Sequence, residues 1–204
     1  MRESRPQRPE SRFYYREKES EQYHVSVGSV GIPAASRDRF AMASLNNVLG
    51  GGMSSRLFQE VREKRGLAYA VFSYHQSYSD TGAAKMYVGS TTGNVEEAVE
   101  VIAEQLRAVQ EEKIGEEELR RTREQLKSQT LLALENTSAR MTRMGRSVIT
   151  GAELLTPDEI SRRIEAVTAE DIQRLAREHL KPERMYLSAV GPEELDLGRF
   201  LNEN

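Results

Sequence analysis

Three consecutive glycines, Gly50, Gly51 and Gly52, restrict how this chain can fold more than any other feature of its sequence. Glycine offers no side chain for packing and loses more backbone freedom on folding than any other residue, so a run of three needs a structural reason. A tight or left-handed backbone path would supply one, and so would the close approach of another group.

The sequence on both sides of the glycines predicts helix. Residues 36–49 carry an uneven apolar stripe that begins after Ser36, a candidate N-cap. Residues 54–65 carry a second apolar stripe and a basic last turn, and Gly66 ends the pattern. The glycines are therefore expected to connect two helices.

Strand patterns occur early in the chain, after the second helix and near the end. Residues 23–32 alternate valines with small or polar residues, which is typical of a strand, and we take this segment as the first strand of the chain. Residues 67–79 and 83–91 predict a hairpin that turns at residues 79–82, and residues 184–192 predict a last strand.

Most of the remaining sequence predicts helices. One helix follows Asn94, a candidate cap, and a long helical region spans residues 116–149 with a bend at 136–138. Thr156 and Thr168 each precede an acidic first turn and are predicted helix caps. This order of elements indicates an α+β fold, with a mostly antiparallel sheet covered by helices.

Length and composition indicate a single folded domain. The chain has 204 residues, and we expect one domain over residues 13–204, preceded by a flexible tail or linker at residues 1–12. The net charge of -3 argues against a nucleic-acid partner. No apolar run is long enough for a membrane span or resembles a secretory signal, so we expect a cytoplasmic protein.

The residues that commonly bind zinc are sparse. The chain has no cysteine, and its three histidines, His24, His75 and His179, belong to no H-E-x-x-H or H-x-x-E-H pair. We therefore predict no metal site and no cofactor within this chain. His24 and His75 are interpreted as sheet residues, and His179 suits a helix C-terminus.

The glycine run has three interpretations before any resemblance is considered. It could cradle a phosphate at a helix N-terminus, but the Lys-Ser/Thr of a Walker loop is missing and G-x-G-x-x-G does not occur. It could be a structural turn between two packed helices. It could also be a mobile loop that faces a substrate.

Arg62 and Tyr69 are the other candidates for a functional role. Arg62 lies in the last turns of the second predicted helix, and Tyr69 follows the glycine that ends it. The reversal of the chain could bring a guanidinium and a phenol together near one end of the sheet. A purely structural role for the pair is the alternative.

The stretch "LNNVLGGGMSSRLFQEVREKRGLAYAVFSY", followed by "GAAKMYVGSTTGNVEEAVEVI" and "LLALENTSARMTRMGRS", resembles a known peptidase family. The likeness extends over residues 13–192 to the C-terminal half of the pitrilysin-like or insulinase-like inverted-zincin metallopeptidases. Within them it is similar to the bacterial processing-peptidase-like branch, akin to mitochondrial processing peptidase.

The resemblance implies a division of roles between two related halves that close around a peptide. The N-terminal half carries H-x-x-E-H and holds zinc, and the C-terminal half supplies an arginine and a tyrosine, which map onto Arg62 and Tyr69. The phenol would support the oxyanion and the arginine would bind carbonyls of the peptide substrate. The glycine loop of Gly50, Gly51 and Gly52 would bend or move beside the peptide chamber.

The chain departs from the full pattern of the family because it lacks H-x-x-E-H. The resemblance then implies the substrate-binding half of a zinc endopeptidase, inactive alone, with zinc in a missing N-terminal half or a partner subunit. A non-catalytic subunit of the same fold and an anion- or nucleotide-binding module are the alternatives. We also expect a homo-oligomer, because a surface that faces another domain should be partly apolar.

Overall fold

The structure is a computed structural model that describes residues 12–201. A five-stranded sheet is accompanied by helices, and the chain order is as follows: β1 Phe13–Glu17, β2 Tyr23–Gly31, α1 Arg39–Gly50, β3 Ala68–Ser77, β4 Gly82–Ser90, α2 Val95–Glu111, α3 Glu116–Glu135, α4 Thr137–Thr150, α5 Pro157–Glu165, α6 Ala169–His179 and β5 Tyr186–Gly191. A π-helical turn covers Phe58–Glu63, and short 3-10 turns cover Pro182–Arg184 and Leu197–Leu201.

The sheet has the strand order β1-β5-β2-β4-β3, so β3 is an edge strand. β1 pairs with β5 in parallel, and the other three pairings are antiparallel. The predicted α+β class with a mostly antiparallel sheet is therefore confirmed.

One face of the sheet forms the main core. Along β2, Tyr23, Val25 and Val27 alternate with more exposed residues, which places every second side chain in the core. These side chains belong to one buried cluster with apolar residues of α1, α2 and α6. The side chains of the opposite face, such as Phe72 and Tyr74 of β3, are more exposed.

The local end signals of the helices have mixed outcomes. Thr156 and Thr168 both form capping boxes, in which each threonine hydroxyl accepts from the third residue of its helix. Asn136 separates α3 from α4 and accepts from the backbone nitrogen of Ala139 at 3.1 Å, so the predicted bend is confirmed.

The other two predicted caps have different outcomes. Asn94 is the N-cap residue of α2, as predicted, although its side chain makes no capping bond. The cap predicted at Ser36 was wrong. Ser36 lies too early because α1 begins at Arg39, and the hydroxyl of Ser36 accepts instead from the backbone nitrogen of Asp38 at 3.2 Å.

The strand predicted from Tyr23 is confirmed as β2, but the expectation that it is the first strand was wrong, because β1 precedes it. β1 is short and mostly exposed, and its partner β5 lies at the other end of the chain, so no local alternation marks it. Arg12, which was assigned to the tail, donates to the carbonyl oxygens of Pro182 at 2.9 Å and Leu201 at 3.2 Å. The rest of the expected tail lies outside the described residues.

No helix in the described part of the chain is long and apolar enough to cross a membrane.

The buried hydroxyl of Ser29 allows a test of how an unpaired polar group affects stability. Ser29 is 6% exposed, and its hydroxyl has no hydrogen-bond partner among the described residues. We expect Ser29→Ala to raise the free energy of unfolding by up to about 1 kcal/mol, because a buried unpaired hydroxyl is costly. Denaturant unfolding followed by circular dichroism measures the change.

Ser90 is the matched control for this prediction. It is also buried, but its hydroxyl donates to the carbonyl oxygen of Leu67 at 2.6 Å. Ser90→Ala should lower the free energy of unfolding by about 1 kcal/mol because it leaves that carbonyl unpaired. Equal losses in the two variants would contradict the assignment of Ser29 as unpaired.

Candidate functional site

The candidate site begins where a helix ends and β3 starts. The helical segment after the glycines finishes in the π-helical turn, in which Lys64 donates its backbone N–H to Gln59 at 2.9 Å, five residues earlier. Gly66 then adopts the left-handed conformation with φ 62°, which favours glycine. The chain reverses there, and β3 begins two residues later.

This reversal brings Arg62 and Tyr69 into contact. The guanidinium of Arg62 donates from Nη1 to the carbonyl oxygen of Tyr69 at 2.9 Å. Its Cζ lies 4.5 Å from the centre of the Tyr69 ring and 4.9 Å from the centre of the Phe58 ring. The charge of Arg62 is therefore stacked on two aromatic faces, each of which attracts a cation.

Phe58 is a member of this cluster that sequence reasoning assigned only to the apolar stripe. The signal that could have found it is its position four residues before Arg62, since side chains at this spacing lie on one side of a helix. Phe58 therefore supplies a second aromatic face for the guanidinium of Arg62.

The side chain of Tyr69 is free to meet another molecule. It is 78% exposed, although its backbone lies in the sheet. The pairing of β3 with β4 shifts register between Ala68 and Ala70, so Tyr69 is the extra residue of a bulge. Bulges of this kind change the direction of a side chain, and here the phenol O–H is left as an accessible donor.

The first glycine of the run marks a close contact between α1 and β3. A Cβ at Gly50 would overlap the backbone nitrogen of Ser73 and lie 2.8 Å from its hydroxyl oxygen. The hydroxyl of Ser73 also donates to the carbonyl oxygen of Asn46 at 2.8 Å. Gly50 therefore allows the end of α1 to rest directly on the edge strand.

The other two glycines belong to a hydrogen-bonded connection. The side chain of Gln125 donates to the carbonyl oxygen of Gly51 at 3.3 Å, and the hydroxyl of Ser55 donates to that of Gly52 at 2.5 Å. A left-handed path, one of the reasons considered for this run, does not occur in it, because Gly66 and Gly151 are the positive-φ glycines of the described residues. Close approach accounts for Gly50.

A partly buried ion pair fixes the segment that follows the glycines. Arg56 donates from Nε and Nη2 to the two carboxylate oxygens of Glu118 on α3, both at 2.8 Å. This hydrogen bonding raises the pKa of Arg56. A two-pronged pair of this kind fixes orientation, so the helix bearing Arg62 is anchored to α3.

We call Phe58, Arg62 and Tyr69 the Arg62 cluster. Further aromatic rings lie on the exposed face of the sheet, starting three residues after Tyr69. Phe72 of β3 stacks on Tyr87 of β4 with 4.9 Å between ring centres, and it lies 6.1 Å from Tyr74. The ammonium of Lys85 lies 5.6 Å from the centre of the Tyr74 ring. This surface offers apolar contact and one cation to a molecule lying on the sheet.

The described residues do not fit a zinc site. Residues 12–201 contain no group of three or more His, Cys, Asp or Glu that could hold a metal ion. His24 shares a hydrogen bond of 2.6 Å with the hydroxyl of Tyr87, and His179 lies 3.0 Å from the carbonyl oxygen of Val30.

His75 is turned inward near the end of β3. Burial lowers its pKa to about 4, and the nearby charges of His179 and Arg146 add to the effect. The ring is therefore neutral at pH 7. A Cβ at Gly31 would lie 2.8 Å from its Nε2, so the imidazole is packed against the backbone rather than exposed to a ligand.

A family model agrees with this architecture. The model described as peptidase M16 inactive domain matches residues 2–126.

Curated relatives extend the match over most of the chain. An uncharacterized zinc protease of Streptomyces coelicolor is 41% identical over 175 residues, covering 86% of this chain and 38% of the relative. An uncharacterized zinc protease of Bacillus subtilis is 40% identical over 177 residues, covering 87% of this chain and 43% of the relative. The chain thus spans about 40% of the length of these relatives.

Solved structures share the fold. A peptidase M16 inactive domain from Pseudomonas fluorescens has a TM-score of 0.78 at 24% identity, over 94% of this chain and 46% of that one. A conserved protein from Enterococcus faecalis V583 has a TM-score of 0.78 at 26% identity, over 94% of this chain and 44% of that one. A chain of complex III2 from Candida albicans has a TM-score of 0.82 at 19% identity, over 93% of this chain and 48% of that one.

Proposed function

The chain belongs to the peptidase M16 family, and from that premise we propose that it is the substrate-binding half of a zinc-dependent endopeptidase. The other half, or a partner subunit, would carry the zinc and the general base. Its substrates would be peptides or unfolded segments, in the manner of the processing-peptidase-like branch.

The observation that carries the proposal is the Arg62 cluster. A guanidinium held between two rings and a phenol that is 78% exposed form a rigid pair of donors at the start of an edge strand. A preorganised phenol can stabilise the negative oxygen that develops when water attacks a peptide carbonyl, and a preorganised guanidinium can hold carbonyl oxygens of the peptide. The described residues do not fit a zinc site, so zinc chemistry is assigned to the other half.

Arg62 and Tyr69 have separate tasks in this proposal. The Tyr69 phenol donates its O–H to the oxyanion. Arg62 already uses Nη1 on the carbonyl oxygen of Tyr69, so its other N–H groups bind carbonyl oxygens of the substrate. Arg62 also fixes the backbone from which Tyr69 projects.

A non-catalytic subunit of the same fold is the second candidate. The likeness to a chain of Candida albicans complex III2 shows the fold alone at 19% identity. The exposed Tyr69 phenol favours the peptidase, because a scaffold has no need of an accessible donor at this position.

The proposal is tested by comparing the chain alone with a chimera. In the chimera, this chain replaces the matched segment of the Bacillus subtilis relative, which supplies the remaining part of the longer protein. We expect the chain alone to bind no stoichiometric zinc and to cleave no peptide. The chimera should hydrolyse an unstructured fluorogenic peptide, and a zinc chelator should stop the hydrolysis.

Elemental analysis and peptide hydrolysis give the two readouts. About one tightly held zinc per isolated chain would contradict the assignment of the metal to the other half. A folded, zinc-loaded chimera without peptidase activity would contradict the catalytic proposal and favour the non-catalytic subunit.

A further inference from the structure

Helix α4 carries its apolar residues on the side that faces solvent. Met141, Met144 and Val148 are 65%, 48% and 83% exposed, and their spacing of three and four residues places them on one face. We call these three residues the α4 stripe. None of the residues of α4 is fully buried.

The polar side of α4 faces the rest of the domain. Arg143 donates to the carbonyl oxygen of Leu155, and Arg146 donates to that of Ser77 at 2.8 Å. A surface helix normally buries its apolar face and exposes its charges, so the orientation of α4 is inverted. Rotating the stripe inward would break both arginine bonds.

The inverted orientation implies a covering partner. A contiguous exposed apolar surface on a soluble domain marks an interaction site. The guanidinium groups of Arg143 and Arg146 are bonded to carbonyl oxygens of the domain, so they are not available to lipid headgroups, and a protein partner is favoured over a lipid surface. Arg140 lies four residues before Met144, and its guanidinium has no carboxylate partner among the described residues.

The length of the relatives indicates what covers the stripe. The match occupies 38% and 43% of the two curated relatives, so each carries more than half of its chain elsewhere. A further domain in the same polypeptide is the occupant that these lengths supply.

We propose that the α4 stripe, flanked by Arg140, is the surface against which the further domain of the longer protein packs. That domain would present an apolar patch with a carboxylate beside Arg140. The proposal deepens the pairing on which the proposed function rests, and it concerns docking rather than chemistry.

Thiol labelling tests the contact, because the chain contains no cysteine. Val148→Cys places a single thiol on the stripe, and Thr142→Cys places one at another exposed position of the same helix. In the isolated chain, both thiols should react with a maleimide at rates within about twofold of each other. In the chimera, with its other cysteines replaced, Val148→Cys should react at least about tenfold more slowly, while Thr142→Cys is unchanged.

Equal rates for Val148→Cys in the isolated chain and in a folded chimera would overturn the proposal. Protection that grows with the concentration of the isolated chain and is absent from the chimera would assign the stripe to a second copy instead. If the first chimera does not unfold cooperatively, the same two variants are tested in a second chimera, in which the Streptomyces coelicolor relative supplies the remaining part of the protein. Because labelling needs no catalysis, protection in an inactive chimera would support docking while the proposed function fails.

Discussion

Gly50→Ala should lower the free energy of unfolding by about 2–4 kcal/mol. The added methyl would overlap the backbone nitrogen of Ser73 and lie 2.9 Å from the carbonyl carbon of Phe72. Neither backbone atom can turn aside as a flexible side chain could, so α1 must move away from β3. Denaturant unfolding followed by circular dichroism measures the loss.

Gly145→Ala is the matched control, because it makes the same substitution in helix α4. A Cβ at Gly145 meets no atom within 4 Å, so the variant should gain about 0.5–1 kcal/mol from the better helix propensity of alanine. If Gly50→Ala does not lower the free energy of unfolding, as Gly145→Ala should not, the end of α1 yields easily to the added methyl. The glycines would then be better explained as a loop that moves beside a substrate.

The helix ends were predictable where the signal and its target are neighbours in sequence. Thr156 and Thr168 each bind a backbone nitrogen and a carboxylate of the residue three positions later, so a short window contains the whole motif. The hairpin of β3 and β4 was predictable for the same reason. Its two strands are adjacent in the chain, and the backbone nitrogen of Tyr78 donates to Thr81 at 2.8 Å across the connection.

The features that could not be predicted depend on distant parts of the chain. β1 is fixed by parallel pairing with β5, and the need for glycine at position 50 is set by Ser73 of β3. The sequence of α4 is amphipathic, but the sequence does not show which side faces the domain. The hydrogen bonds of Arg143 and Arg146 to the carbonyl oxygens of Leu155 and Ser77 turn the apolar side outward.

The candidate site lies between these two cases. Gly66 ends a helix and begins a strand within a few residues, so the meeting of Arg62 and Tyr69 could be predicted from local sequence. The stacking of Arg62 on Phe58 requires the observed geometry of the turn. The exposure of Tyr69 depends on the bulge between Ala68 and Ala70, which is a property of the pairing with β4.

Tyr69→Phe should lower the kcat of the chimera by about ten- to a thousandfold and change KM little. The substitution keeps the ring that stacks on Arg62, and it keeps the backbone carbonyl that accepts from Nη1. It removes only the phenol O–H, which in our proposal donates to the oxyanion. An interaction that is made in the transition state and not in the bound substrate affects kcat rather than KM.

Tyr78→Phe is the matched control for this effect. Tyr78 is also exposed, at 47%, but it follows the end of β3 at Ser77, whereas Tyr69 lies at the start of the strand. Its loss of a hydroxyl should leave kcat and KM unchanged. Zinc content and thermal unfolding of each variant must equal those of the parent chimera for the comparison to hold. Near-normal turnover of Tyr69→Phe under these conditions would contradict a direct catalytic role and leave Tyr69 as the ring that holds Arg62.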